Sequence, residues 1–341
     1  MEKFVSSWSN GTILPESYIF PPGKRPGKQV VPLYDSVPVI DLGKADGDDH
    51  ENIVHQIIEA AREYGFLQVI NHGVPTRLMD ATRRTFKEFF ELPTEEKTRF
   101  LSLDPSQTCA LYTSNVDYEK EEIHNWRDSL RHSCNPLEEC MHYWPEKPSR
   151  YREVVGEYTV KVRELGSRIL ELICEGLGLE QGFFAKELSQ GQVMAVHHYP
   201  PCPDPSLTLG TRQHYDPGLI TILLQGNVSG LQVLRNGEWI GVEAIPDAFV
   251  VNIGQQLQIV SNGRLRSSEH RAVTNKTKAR ITAAFFIEPT KECIVEPAKA
   301  IVNAQSPAIY RRVRYEDFLG TFRGAYVGEI DDVLEPYTIR A

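Results

Sequence analysis

The sequence has no long hydrophobic run and no clustered basic patch. In its 341 residues, no apolar stretch approaches the ~18 residues that a membrane-spanning helix needs. The opening residues, MEKFVSSWSNGTILPESY, have neither a basic start followed by an apolar stretch nor an Arg-rich amphipathic pattern. We therefore expect no targeting segment, no membrane partner and a cytoplasmic protein.

Positive charge is also in deficit. The chain has 37 Lys and Arg against 46 Asp and Glu, a net charge of −9. Such a balance repels phosphate backbones at long range, so nucleic acid is not an expected partner. Apolar residues make up 41% and charged residues 24%, which is typical of a water-soluble globular protein rather than a disordered or membrane one. We expect a monomer whose partner is a small-molecule substrate.

Cysteine is sparse and no C-x-x-C pair occurs. The six cysteines are scattered, which in a cytosolic chain favours free thiols that pack as small apolar residues. They are Cys109, Cys134, Cys140, Cys174, Cys202 and Cys293.

The first half has the pattern of helices with two short strands. Residues 1–35 are rich in Pro, Gly and charge and indicate an extended lead-in. Strands are predicted at 37–43 and from residue 66, where FLQVINHGV ends in a turn at Gly73. Apolar spacing predicts helices over about 51–64, 75–91, 94–100 and 148–177.

After residue 190 the pattern changes to short apolar or alternating runs, punctuated by Pro, Gly and Asn every eight to twelve residues. This spacing is typical of a sandwich or barrel, and Asn-Gly within RNGEW favours a tight hairpin. A last helix is predicted at 315–320. We expect a mixed α and β fold, with a double-stranded β-helix (jelly-roll) core at 190–295, N-terminal helices within 1–185, and a C-terminal helix and tail at 296–341.

The segment RQHYDPG, 212 to 218, offers a metal site. On a strand, residues two apart share a face, so His214 and Asp216 can hold one ion while Tyr215 points away. His270, in SSEHRAV, supplies a third ligand if its strand lies beside the first. Two histidines and one carboxylate form the facial triad of non-haem Fe(II) oxygenases, which leaves positions open for a co-substrate and dioxygen.

Ten residues after His270, ARITAAFF places Arg280 and Thr282 on one face of a predicted strand. A guanidinium fork and a hydroxyl suit a carboxylate, such as the distal carboxylate of 2-oxoglutarate, whose 2-oxo acid end chelates iron. Tyr199, at the start of YPPCPDP, can donate a hydrogen bond to the same acid.

Each feature has an ordinary alternative. An isolated H-x-D arises by chance, a lone Arg on a strand is commonly solvated or salt-bridged, and a lone His is commonly a core residue. Only the ordered set indicates an iron site. A zinc hydrolase would use the same ligands but leaves Arg280 and Thr282 without a role. A catalytically silent jelly roll that binds a ligand is the other alternative, and it predicts a lost ligand or a lost Arg.

The chain resembles the plant 2-oxoglutarate-dependent dioxygenases related to isopenicillin N synthase, over nearly its whole length. The motifs that carry the resemblance include VPVIDL, GFLQVINHGV, FFELPTEEK, YPPCPDP, HYDPGLITILLQ, HRAV and RITAAFF. NWRDSL and DAFVVNIGQQLQIVSNG are similar to the salicylic acid hydroxylases related to downy-mildew-resistance proteins, whereas WPEKP, YREVV and ICEGLGL are similar to hyoscyamine 6-hydroxylase.

The resemblance implies that His214, Asp216 and His270 bind iron, and that Arg280, Thr282 and Tyr199 bind 2-oxoglutarate. It further implies oxidation of a small plant specialised metabolite by hydroxylation, desaturation or ring closure, with 2-oxoglutarate decarboxylated to succinate. Dioxygen is the oxidant, and ascorbate is expected to support activity. The retained Asp216 argues against halogenation.

Two departures from the family pattern are expected to matter. Thr282 stands where the family has Ser but keeps the hydroxyl. His197 replaces the usual Asn and shares a face with Tyr199, so it is either a hydrogen-bond donor to the co-substrate or a passive liner. A role as an extra iron ligand is disfavoured, because the three expected ligands already suffice. The substrate wall is expected at the N-terminal helices, the 105–126 segment and Phe286, with Leu111, Tyr112 and Trp126 as further candidates.

Overall fold

The computed structural model describes residues 4–9, 13–28, 31, 37–326 and 332–339. Its helices are α1 (Val5–Trp8), α2 (His50–Glu63), α3 (Thr76–Glu91), α4 (Thr94–Thr98), α5 (Leu137–Met141), α6 (Tyr151–Gly176), α7 (Gln255–Val260) and α8 (Tyr315–Tyr326). The predicted helices at 51–64, 75–91, 94–100, 148–177 and 315–320 are thus confirmed, with shifts of a few residues at their ends. None of the described helices is long and apolar enough to cross a membrane.

The strands are β1 (Val39–Asp41), β2 (Phe66–Ile70), β3 (Cys109–Thr113), β4 (Asp128–Ser133), β5 (Gly191–Tyr199), β6 (Leu209–His214), β7 (Ile220–Leu224), β8 (Leu231–Arg235), β9 (Glu238–Gly241), β10 (Phe249–Ile253), β11 (His270–Val273), β12 (Arg280–Glu288), β13 (Ile294–Val295) and β14 (Val313–Arg314). A major sheet has the order β1-β2-β10-β7-β12-β5-β4-β3, and a minor sheet has the order β6-β11-β8-β9. The expected jelly roll is confirmed.

The two sheets face each other. Leu223, Val250 and Ala284 of the major sheet pack in one apolar cluster with Leu231 and Val233 of the minor sheet. We call this side of the major sheet its interior face. Because strand side chains alternate, the residues next to these point to the opposite, outer face.

Helices cover the outer face. Phe285 and Ile287 of β12 lie in the main core together with Ile169 of α6, and both α2 and α3 contact α6. Gly166 lets α6 approach the sheet, since a Cβ at this position would collide with the Ile287 side chain. The helical N-terminal region therefore supports the sheet from behind and leaves the interior face for the site.

Two expectations about the first half are wrong. The lead-in is not only extended, because it contains α1 and its Val5 is fully buried in a cluster with Tyr18 and Trp126. The described residues of this half form four strands rather than two, because Cys109–Thr113 and Asp128–Ser133 extend the major sheet beyond β5. Most residues of β4 are buried on both faces, so the strand lacks the polar alternation by which a half-exposed strand is found in a sequence.

The hairpin predicted at RNGEW is confirmed. Arg235 pairs with Glu238 across the turn between β8 and β9. Asn236 and Gly237 both have positive φ, 51° and 82°, as a type I′ turn requires. The turn fixes the register of β8 with β9, and on its other side β8 pairs with β11, the strand that begins at His270.

Candidate metal centre and co-substrate cavity

Strand pairing brings the predicted triad together. His214 is the last residue of β6 and pairs directly with His270, the first residue of β11, while Asp216 follows two residues later. The Oδ1 atom of Asp216 lies 3.6 Å from Nε2 of His270 and 3.8 Å from Nε2 of His214. The three ligand atoms all lie within 4.8 Å of one another, so one cation can bridge them.

The backbone fixes the tautomer of both imidazoles. Nδ1 of His214 lies 2.9 Å from the Arg212 carbonyl oxygen, and Nδ1 of His270 lies 3.1 Å from the Ser268 carbonyl oxygen. A carbonyl accepts only, so each Nδ1 carries the proton and each Nε2 presents its lone pair to the site. Such outer hydrogen bonds orient histidine ligands in metal proteins.

Asp216 is held by its second oxygen. Asn252 Nδ2 donates to Asp216 Oδ2 at 2.8 Å, which leaves Oδ1 for a metal. Burial works to raise the pKa of Asp216, but the two histidines and hydrogen bonds from Asn252 and Thr221 outweigh it, and the pKa is lowered. Burial, together with the neighbouring His270, lowers the pKa of His214 to about 3. An ionised carboxylate beside a neutral imidazole is the state that metal binding requires.

Arg280 is a buried cation at the other end of the same cavity. Its side chain donates from Nε to the Val228 carbonyl at 3.0 Å and from Nη2 to Gln225 Oε1 at 3.3 Å. Burial lowers the pKa of Arg280. Among the described residues, no carboxylate lies within salt-bridge distance of it. Because a buried charge without a counter-ion is costly, the site suits an anionic ligand.

Register places the other predicted co-substrate residues around Arg280. Tyr199 of β5 pairs with Arg280, and His197 pairs with Thr282. All four line the cavity that contains the triad. The Tyr199 hydroxyl lies 3.1 Å from Thr211 Oγ1.

His197 faces the cavity as a neutral imidazole. Its Nδ1 lies 2.8 Å from Ser129 Oγ. Burial, and then the positive charges of Arg127 and Arg280, lower the pKa of His197 well below its ordinary value. The side chain is therefore uncharged at neutral pH and can exchange hydrogen bonds without adding to the positive charge.

The four residues suggested for the substrate wall occupy different places. Phe286 lines the cavity. Leu111 is fully buried in the main core, and Trp126 is fully buried in a cluster with Val5 and Tyr18 of the N-terminal segment. Tyr112 lies opposite Ser129 on the interior face but is not among the side chains that line the cavity.

The structure adds cavity residues that sequence reasoning missed. Arg127 lines the cavity and donates from Nη1 to Thr211 Oγ1 at 2.8 Å. Asn252, the partner of Asp216, pairs with Thr221 on β7. Arg127 lies in the motif NWRDSL and Asn252 in the motif DAFVVNIG. The direction of their side chains could not be predicted from these motifs, because it depends on β4 and β10 joining the same sheet. Tyr215, between two ligands, is 36% exposed and points away from the metal site.

The donor set fits iron(II). Two neutral imidazole nitrogens and one carboxylate oxygen, on one side of the ion, match the facial triad of non-haem iron oxygenases. The buried Arg280 with its neighbouring hydroxyl groups fits the distal carboxylate of a diacid.

Two family models match the chain. Residues 190–289 match the 2OG-Fe(II) oxygenase superfamily, and residues 37–149 match the N-terminal region described as non-haem dioxygenase in morphine synthesis. The first match contains the triad and Arg280, and the second contains β1 to β4.

Whole-length relatives agree with these matches. Hyoscyamine 6-dioxygenase of Hyoscyamus niger is 43% identical, over 99% of each chain. Protein DOWNY MILDEW RESISTANCE 6 of Arabidopsis thaliana is 42% identical, over 94% of each. The crystal structure of JOX2 in complex with 2OG, Fe and JA superposes with a TM-score of 0.83 at 34% identity, over 94% of this chain and 93% of JOX2. The chain therefore belongs to the 2OG-Fe(II) oxygenase superfamily and is a 2-oxoglutarate-dependent dioxygenase.

Proposed function

We propose that this enzyme oxidises a C–H bond of a small plant specialised metabolite, with iron held by His214, Asp216 and His270. The main observation in support of this proposal is that the triad and the buried Arg280 line one cavity. Iron with 2-oxoglutarate and dioxygen supplies the oxidising power, and the protein's task is to position the reactants.

The chain's own groups divide that task. The Nε2 atoms of the two histidines and Asp216 Oδ1 would hold the iron. Arg280 and Thr282 would hold the distal carboxylate of 2-oxoglutarate, with Tyr199 and His197 opposite them. Because Arg280 and the triad lie at different ends of one cavity, these contacts would favour a single orientation of the co-substrate.

We further propose that residues 190–295 form the oxygenase core, because the ligands and Arg280 all lie there, while 1–185 and 296–341 complete its surroundings. We also propose a monomeric, cytoplasmic enzyme without nucleic-acid or membrane partners. The net charge of −9 supports the last part, since it repels nucleic acid and anionic membrane surfaces. Relatives named for alkaloid, flavanone and mugineic-acid substrates support a small organic substrate.

The test combines turnover with metal content. Purified enzyme with Fe(II), ascorbate and a plant metabolite extract should convert 2-oxoglutarate to succinate, and zinc in place of iron should not support the reaction. Asp216→Ala and His270→Ala should lose turnover and bound iron while keeping the wild-type circular dichroism spectrum. Full activity in either variant would refute the assignment, and an extract hydrolysed by the zinc form would favour a hydrolase.

A further inference from the structure

Strand β4 turns a row of polar side chains toward the cavity. Ser129 Oγ contacts His197 Nδ1, so Ser129 lies on the interior face. Residues two apart on a strand share a face, and Arg131 must therefore point the same way. Arg127, two residues before Ser129, fits this alternation because it lines the cavity.

The strand register fixes the position of Arg131 across the sheet. Arg131 pairs with Ala195, and Ala195 pairs with Ala284, which lines the cavity. Two strand spacings separate Arg131 from Ala284, about 10 Å between Cα atoms. Ala195, between them, and Ala284 both have short side chains, so within the major sheet no long side chain separates Arg131 from the cavity, although Arg131 is not itself among the side chains that line it.

The Arg131 guanidinium is not committed to a protein partner. It is partly buried, and among the described residues it has neither a hydrogen bond nor a salt bridge. The positive charge of Arg131 acts electrostatically on Glu288, but the two form no salt bridge. Burial raises the pKa of Glu288, and its carboxyl group already accepts a 2.9 Å hydrogen bond from the Tyr315 hydroxyl.

The charges around the cavity favour the binding of a second anion in addition to the co-substrate 2-oxoglutarate. Three guanidinium groups line the cavity, those of Arg127, Arg271 and Arg280, together with Asp216, the acid of the triad. Arg131 lies on the same face of the major sheet as Arg127 and Arg280 but beyond the lining side chains. The two positive charges of Fe(II) and the two negative charges of 2-oxoglutarate offset each other. The three lining guanidinium groups then outnumber the single lining carboxylate, Asp216, and Arg127 and Arg131 put part of this positive surplus on the β4 side.

We propose that Arg131 docks the carboxylate of the substrate, so that the enzyme oxidises small organic acids rather than neutral or basic metabolites. Arg127, which bonds Thr211 beside Tyr199, adds positive potential from the same strand. The inference rests on the proposed function, because it places the substrate between the triad and β4.

Fractionation of the substrate pool is the first experiment. A plant metabolite extract is separated by anion exchange into acidic, neutral and basic fractions, and each is incubated with Fe(II)-loaded enzyme and 2-oxoglutarate. We expect substrate-dependent succinate formation in the acidic fraction. Turnover confined to the neutral or basic fraction would overturn the inference while leaving the oxygenase assignment intact.

A binding experiment tests the same inference without requiring turnover. Saturation-transfer NMR of the enzyme with 2-oxoglutarate, without iron, compares benzoate with benzamide and indole-3-acetate with indole-3-acetamide. Each acid should bind at least about tenfold more tightly than its amide, as expected when a charge-assisted contact is lost. Equal binding of acid and amide would contradict the docking role, whatever the activity.

Variants assign the effect to Arg131. Arg131→Met should abolish the preference for acids without changing the affinity for 2-oxoglutarate, and Arg131→Lys should keep part of it. Arg163→Met is the matched control, since Arg163 is partly buried on α6, behind the sheet, and should change neither affinity. An Arg131→Met enzyme that still prefers acids would refute the proposal.

Discussion

Arg280 and Tyr199 lie directly opposite each other on neighbouring strands, with the guanidinium carbon 5.2 Å from the centre of the phenol ring. The contact holds the guanidinium in one orientation while Nε and Nη2 are bonded to Val228 and Gln225. The fork is therefore preorganised before any acid arrives, which lowers the entropy cost of binding.

Arg280→Met should raise the dissociation constant for 2-oxoglutarate by about 100-fold, because a buried charge-assisted contact of this kind is worth several kcal/mol. Arg280→Lys should recover only part of the affinity, since an ammonium lacks the planar fork. Titration of 2-oxoglutarate into the metal-loaded protein measures both. An unchanged dissociation constant in Arg280→Met would place the co-substrate elsewhere.

The sequence predicted the chemistry of the site better than its surroundings. H-x-D and R-x-T are short patterns on single strands, and alternation alone gives the direction of Asp216 and Thr282. His270 could be predicted as a ligand only on the condition that its strand lies beside β6, because the pairing of β6 with β11 joins residues more than fifty positions apart. Arg131 could not be placed at all before β4 was known to join β5, since the face on which its side chain lies follows from its pairing with Ala195.

The core residues show the same limit. The 105–126 segment was expected to contribute to the substrate wall, with Leu111 and Trp126 among the candidates. Trp126 instead bonds through Nε1 to the Pro200 carbonyl and packs edge-on against Trp8. Burial against an N-terminal segment more than a hundred residues away cannot be deduced from local spacing.

Asn252→Ala should weaken iron binding by about 10- to 100-fold, the usual cost of removing an outer hydrogen bond from a ligand. The reason is that Asp216 Oδ2 loses its 2.8 Å donor, so the carboxylate is less firmly oriented. Iron affinity is measured by anaerobic titration with a competing chelator.

Asn262→Ala controls for a general loss of stability. Its buried amide donates to the Pro307 carbonyl and does not contact the triad, so it should lower the melting temperature without a comparable loss of iron affinity. Equal iron affinities in wild type and Asn252→Ala would mean that Asp216 needs no support from that side.

His132 should make the stability of the metal-free protein depend on pH. Burial lowers the pKa of His132 to about 3, and the imidazole is hydrogen-bonded to Tyr151 and stacked on Trp144. Between pH 6.5 and 3 the unfolded chain binds a proton here that the folded chain does not. Stability therefore falls as pH falls through this window, by about 1.4 kcal/mol per pH unit for this group.

His132→Gln tests this contribution, because an amide can still bond Tyr151 but does not titrate. Urea unfolding at pH 4.5, 5.5 and 6.5 should show a slope of stability against pH that is smaller in the variant by about one proton. Parallel pH profiles of variant and wild type would show that His132 is not protonated on unfolding in this range.

His197→Asn should retain most of the turnover number while the Michaelis constant for 2-oxoglutarate changes by several-fold. His197 lies opposite Thr282 and contacts Ser129, so an amide can keep a hydrogen bond but reaches less far into the cavity. Iron affinity should not change, because the triad supplies the ligands. His198→Asn is the control, since that ring lies on the outer face against Phe90. An unaltered Michaelis constant in His197→Asn would remove this side chain from the co-substrate pocket, whereas a loss of bound iron would make it a ligand.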